Sequence, residues 1–206
     1  MKPRSPKLRA LALAATLALP VAPALASGTG AATAPSAAKA PLTVEQARGQ
    51  YLVNTSGCID CHTPFKLGPK GPEPDMSRHL SGHPEGLRMP PPPALPEGPW
   101  LVISSATNTA FAGPWGVSFT ANLTPDPDTG LGLWSARDFR QTIRTGRHLG
   151  RGRELLPPMP VPVYNHFTDA DLDAVFAYLQ TLPPVRNKVP EPLPPAPPTK
   201  QAAAKQ

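Results

Sequence analysis

Two thiols and an imidazole stand together at Cys58-Ile59-Asp60-Cys61-His62. Thiols three residues apart share one face of a helical turn, so both can add to vinyl groups on one edge of the same porphyrin. The imidazole that follows can then reach the iron from one side. C-x-x-C-H is the attachment pattern of c-type haem. Cys58 and Cys61 are the only cysteines in the chain, so a single haem c, covalent through both, is the most the sequence allows. Two other chemistries use a similar spacing. A thioredoxin-like dithiol wants a strand–helix–strand pattern around it, and none is readable here. A zinc site needs four ligands, and the chain has no second Cys pair.

If His62 holds one face of an iron, a second axial ligand must come from elsewhere. The candidates are Met76, Met89, Met159 and the histidines at 79, 83, 148 and 166. Met159 lies in Leu155-Leu156-Pro157-Pro158-Met159-Pro160-Val161-Pro162. A thioether is a weak, soft ligand, and four prolines restrict the backbone that presents it, lowering the entropy lost on ordering. The spacing therefore favours Met159 as the sixth ligand, with His62 and Met159 both on iron. The alternative role for Met159 is core filling, which does not call for so stiff a loop.

The elements that must position these groups are few. A helix is predicted from Thr43 to Thr55, with Thr43 and Gln46 at capping-box spacing. A second runs from Ala136 to Thr145, boxed by Ser135 and Asp138 and stopped by Gly146. A third runs from Asp169 to Leu182, capped by Thr168 and ended by Pro183-Pro184. Between the first two, residues 63–134 are full of Pro and Gly. So long a loop makes physical sense if it wraps something that is not protein. Residues 101–105 and 117–121 could be short strands.

The chain has 206 residues, of which 32 are Pro and 16 Gly, about twice the usual share. That argues against a helix bundle and against long central strands. Residues 1–9 are basic, 10–26 are apolar, and Ala24-Leu25-Ala26 offers a small-x-small cleavage site. This is the pattern of a secretory signal peptide; Pro20 and Pro23 make the run a poor membrane anchor. The expected product is exported and soluble, in the periplasm. Residues 27–41 read as a flexible linker, 42–189 as the folded domain and 190–206 as a Pro-rich disordered tail. Net charge is +6, but Lys2, Arg4, Lys7 and Arg9 all lie in the leader, so the charge gives no support for nucleic-acid binding.

With these motifs in order, the chain resembles a monohaem class I c-type cytochrome over about 42–189. More specific blocks are Gly113-Pro114-Trp115-Gly116, Asn122-Leu123-Thr124-Pro125-Asp126-Pro127-Asp128-Thr129-Gly130, Arg144-Thr145-Gly146 and Pro157-Pro158-Met159-Pro160. They are similar to the cytochrome c domains in cytochrome subunits of bacterial membrane-bound alcohol and gluconate dehydrogenases. Those subunits carry three C-x-x-C-H motifs; this chain has one. The resemblance implies an all-α fold, with few helices around one covalent haem and long Pro/Gly-rich wrapping loops. It implies that the first and last helices cross, Gly49, Tyr51 and Leu52 meeting Val175, Phe176 and Tyr178. It also implies that a Pro carbonyl after the motif, from Pro64, Pro69 or Pro114, accepts a hydrogen bond from the His62 ring.

The implied function is electron transfer: a carrier relaying single electrons from a dehydrogenase to a downstream cytochrome or oxidase. A six-coordinate iron has no open position for substrate, so the carrier itself is not expected to be an enzyme. The alternatives are a subunit of a periplasmic dehydrogenase complex, and a haem enzyme or sensor with a labile sixth ligand. Arg137, Arg140 and Arg144 share a helical face, and Arg147, His148, Arg151 and Arg153 follow. They read as a solvated face, as docking charges for an acidic redox partner, or, with Arg147 and Trp134, as partners of the haem propionates. Asp126 to Gly130 reads as a turn rather than a calcium loop. His79 and His83 are separated by a Gly and followed by Pro84, so they are not expected to share a metal.

Overall fold

Helix α1 (Val44–Thr55) begins where its cap dictates. The Thr43 side chain accepts from the Gln46 backbone N–H, and the Gln46 side chain accepts from the Thr43 N–H. Two of the four orphan donors at the helix start are thereby satisfied. Helix α2 (Cys58–His62) follows after Gly57, which turns the chain in the left-handed region at φ 79°. Helix α3 (Ala136–Thr145) carries the Ser135/Asp138 box and stops at Gly146, φ 65°. A single turn, α4 (Val161–Tyr164), precedes α5 (Asp169–Leu179). Helix α5 starts at the expected Thr168 cap and ends three residues before the expected Leu182. This computed structural model describes residues 40–92 and 99–195. The leader, nearly all of the 27–41 linker and the last eleven residues of the predicted tail lie outside the described residues.

The crossing of α1 over α5 is the main helix contact. It depends on Gly49, because a Cβ there would overlap the Ala174 carbonyl oxygen and crowd Tyr178. Leu52 and Val53 bury against Val175, Tyr178 and Leu179. Tyr51, expected in this contact, is instead 58% exposed and lies beneath the Arg48 guanidinium. Phe176 turns toward Phe139 of α3, ring centroids 5.7 Å apart. Ion pairs fasten α5 from outside: Arg48 to Asp171, Arg140 to Asp173 and Arg144 to Asp169. Arg144 also donates to the carbonyls of Asn165 and Phe167. Two of the arginines read as free surface charge are thus structural staples.

The Thr168 hydroxyl, and then the Arg48 guanidinium, hold the Asp171 carboxyl below its ordinary value. A depressed carboxylate contributes stability that is present above its unfolded value, about 3.9, and lost as pH falls through the folded one. Asp171→Asn is therefore expected to be less stable than the parent at neutral pH. The gap should narrow as pH falls below the ordinary carboxylate range and close once the folded carboxyl is protonated. Thermal melts across pH check this; equal stability at pH 7 would show that the contact carries nothing.

The all-α fold expected from the resemblance is overturned by the segment between α2 and α3. Strands β1 (Phe65–Gly68) and β2 (Gly71–Pro74) form an antiparallel hairpin. Strands β3 (Ile103–Ser104), β4 (Ala110–Gly113) and β5 (Gly116–Phe119) form a three-stranded antiparallel sheet in that order. The short strands expected near 101–105 and 117–121 correspond to β3 and β5; the first hairpin and β4 were not foreseen. Both hairpins turn on the same four-residue pattern, Gly68-Pro69-Lys70-Gly71 and Gly113-Pro114-Trp115-Gly116. Pro second and Gly fourth suit a type I turn with a positive-φ glycine after it, and Gly71 and Gly116 have φ 115° and 95°. The prolines that exclude helix here fold the chain back on itself, and the paired strands satisfy the backbone groups. Beyond α5, Leu193 pairs with Val117 of β5, each N–H donating to the other's carbonyl at 2.9 Å.

Candidate cofactor site

The left-handed turn at Gly57 sets α2 at an angle to α1, and α2 presents Cys58, Cys61 and His62 from a turn and a half of helix. Its position is fixed on several sides. The Tyr164 hydroxyl donates to the Ser56 carbonyl at 2.6 Å. Asn108 donates to the Asp60 carbonyl, and Gly82 N–H to the His62 carbonyl, both at 2.8 Å. Both cysteines are free thiols. Burial pushes the Cys58 thiol up to about 11 and raises Cys61 as well, with Asp60 adding to it. Thiol–disulfide catalysis wants the opposite shift, toward the thiolate.

The His62 ring is 8% exposed, and its Nδ1 lies 2.8 Å from the Ala121 carbonyl oxygen. A carbonyl only accepts, so Nδ1 carries the proton and Nε2 keeps its lone pair. Burial lowers the ring's pKa, keeping it neutral at pH 7. This is the arrangement of a ligating imidazole: the far nitrogen is held by a backbone acceptor and the near one is available. The acceptor is not a proline. The Pro64 carbonyl takes the Asp75 N–H instead, while Pro69 and Pro114 occupy hairpin turns. Ala121 follows β5 in a loop pinned on both sides. Thr120 N–H donates to Thr109, and the Thr120 carbonyl accepts from His83 N–H. Asn122 donates to Val185 and Thr129 and accepts from Thr124. No side-chain signal marks Ala121, because its carbonyl does the work.

Cys58, Cys61, His62 and Met159 all line one cavity of about 930 Å³, at the upper end of small-molecule and cofactor sites. Its walls are largely apolar, from residues such as Val53, Leu131, Phe139, Ile143 and Leu172. Met159 is half-buried against the same core, in a loop tied to β5 by Ser118, whose hydroxyl donates to the Pro157 carbonyl at 2.6 Å. The rival ligands lie elsewhere, with one exception. Met76 is 59% exposed and outside the cavity, as is His166. Met89 lines a separate small hollow beside β4. His79 lies beside the Thr63 hydroxyl, and buried His83 is engaged by Thr109 and the Leu87 carbonyl. The exception is His148, which lines the cavity edge-on to Trp134. Arg147, paired with Glu154 and Gly152, is not among the lining residues, whereas Trp134, Arg151 and Arg153 are. Asp126 caps its own turn through Asp128 and Thr129, as a plain turn would.

The donor set fits a covalently held haem. Two protonated thiols, an imidazole with a free Nε2 and a thioether open onto one apolar space. Among the described residues no three His, Cys, Asp or Glu side chains group as a metal site, so the motif is not completed into a four-ligand zinc centre. Nor is any described helix long and apolar enough to cross a membrane.

No protein-family model matches the chain. It is 39% identical over 88 residues to one of the subunits of the nicotinate dehydrogenase of Pseudomonas putida, covering 42% of this chain and 7% of that one. It is 31% identical over 131 residues to the gluconate 2-dehydrogenase cytochrome c subunit of Pantoea cypripedii, covering 64% and 22%. It is 28% identical over 147 residues to the cytochrome c subunit of the quinone alcohol dehydrogenase of Gluconobacter oxydans, covering 70% and 23%. The match thus spans less than a quarter of each of these relatives. Within that stretch, the chain is a relative of the cytochrome c subunits of bacterial dehydrogenases.

Proposed function

We propose that the protein is an exported, periplasmic electron carrier holding one haem c. Cys58 and Cys61 form the thioethers, and His62 and Met159 fill the axial positions. The observation that carries this reading is the convergence of all four side chains on one apolar cavity, with the His62 Nε2 left free by the Ala121 bond. The bound haem supplies a one-electron iron couple. The chain holds the imidazole neutral and oriented, presents the thioether from a proline-stiffened loop and excludes water. Met/His ligation and an apolar pocket both favour the reduced form. The electron donor is a dehydrogenase, as the relatives' names support, and the acceptor is a downstream cytochrome or oxidase. The same names support a subunit role within such a complex.

The intact mass of the secreted protein under denaturing conditions tests the first half. The expected mass is that of residues 27–206 plus one haem. A mass without that increment, fitting a Cys58–Cys61 disulfide, would overturn the reading.

The axial claim has its own test. Met159→Ala is expected to lose the sulfur-to-iron charge-transfer band and lower the midpoint potential. A variant matching the parent in both would remove Met159 from the iron. His148, on the same cavity, gives a second reading in which it replaces Met159 as ligand. In that case His148→Ala, and not Met159→Ala, changes the spectrum.

A further inference from the structure

The Pro-rich stretch after α5 runs along the cavity instead of leaving the domain. Lys188, Val189, Pro190, Glu191 and Pro192 all line it. The stretch is anchored at both ends. Before it, Asn187 is fully buried; its Nδ2 donates to the carbonyls of Ser81 and His83, and its Oδ1 accepts from Arg78 and the Glu85 N–H. After it, Leu193 and Val117 exchange both backbone hydrogen bonds. The close approach there requires Gly116, since a Cβ would overlap the Leu193 carbonyl. Between the anchors, Glu191 meets Arg153 at 3.4 Å, an exposed pair that contributes little. Pro190 and Pro192 limit the alternatives open to the free chain, so the span stays where its ends place it.

We infer that residues 189–192 form a wall of the cofactor site and set how much water reaches the group held there. The inference rests on the haem reading above. Val189, Pro190 and Pro192 are half-buried and apolar; Pro has no N–H to offer a ligand. A wall of this kind lowers the local dielectric and favours the less charged ferrous state, burial being one of the levers a protein has on a haem potential. A staple serving stability alone would leave the potential of the folded protein unchanged.

The test uses the full-length holoprotein and the variant Val189→Gly/Pro190→Ser/Pro192→Ser. This keeps both anchors and Glu191 and adds no charge. Haem content is read by mass, the midpoint potential by redox titration, and access by the rate of cyanide binding to the oxidised protein. All are measured well below the variant's melting temperature. The variant is expected to carry one haem, to bind cyanide about tenfold faster, and to shift the ferric/ferrous ratio toward ferric by about tenfold, a fall of about 59 mV for one electron. A folded, haem-loaded variant with the parent's potential and cyanide rate would overturn the inference. If the triple variant does not fold, Pro192→Ser alone is read the same way, with a smaller fall supporting the inference and an unchanged potential overturning it. A parent protein without haem overturns the haem reading itself, and its mass alone shows that.

Discussion

Exchange of both Cys58 and Cys61 for serine is expected to yield a secreted chain at bare polypeptide mass, with no haem left after denaturing extraction. The effect is all-or-none in attachment, because no other thiol exists to form a thioether. It also reaches the fold. The cavity is about 930 Å³ and is bounded by side chains of the hydrophobic core. Emptying part of a core of its largest group costs about 3–5 kcal/mol. At about 2–4 °C per kcal/mol for a domain of this size, the melting temperature should fall by roughly 6–20 °C. Mass spectrometry and a thermal melt by circular dichroism read the two effects separately. Haem retained covalently by the double variant would refute the assignment.

Gly49→Ala is expected to destabilise the domain although alanine is the better helix former. The gain in propensity is about 1 kcal/mol. Against it stands overpacking, usually about 1–3 kcal/mol and occasionally more. The obstructing atoms include the Ala174 carbonyl, which cannot rotate aside as a side chain could, so the upper end applies. The net loss should be about 2 kcal/mol, or about 4–8 °C in melting temperature. Because α1 leads directly into the C-x-x-C-H turn, the same variant should loosen the cavity. A melting temperature equal to or above the parent's would show that the helices can separate at little cost.

What could be read from the residues was what lies close together along the chain. The starts of α1, α3 and α5 were legible because each is written in three or four residues: Thr43 with Gln46, Ser135 with Asp138, and Thr168 with its acidic first turn. Cys58, Cys61 and His62 were legible for the same reason. Met159 was legible through its prolines, and the structure places it on the same cavity as His62. What was missed depends on contacts across the chain. The hairpins had a local signal, Gly-Pro-x-Gly twice, but its meaning lay in the partners it brings together; read only as loop, it left standing the all-α fold that the resemblance implied. The Ala121 carbonyl reaches His62 across 59 positions without any side chain to announce it. Residues 190–192 read as the start of a tail compositionally unfit to pack, and they are held by Asn187 and Leu193 on either side rather than by their own content.

The bond from His62 to Ala121 has a consequence for how this protein can vary. Its acceptor belongs to the main chain, so no exchange of the side chain at 121 deletes it. A scan of single substitutions would pass over the position in silence, and a drifting lineage could change residue 121 many times while the ring keeps its tautomer. Variation acts on the bond only at a distance, through groups that set the loop, such as Asn122 with Val185 and Thr129 and His83 with Thr120. Only chemical replacement of that peptide bond would alter the acceptor itself.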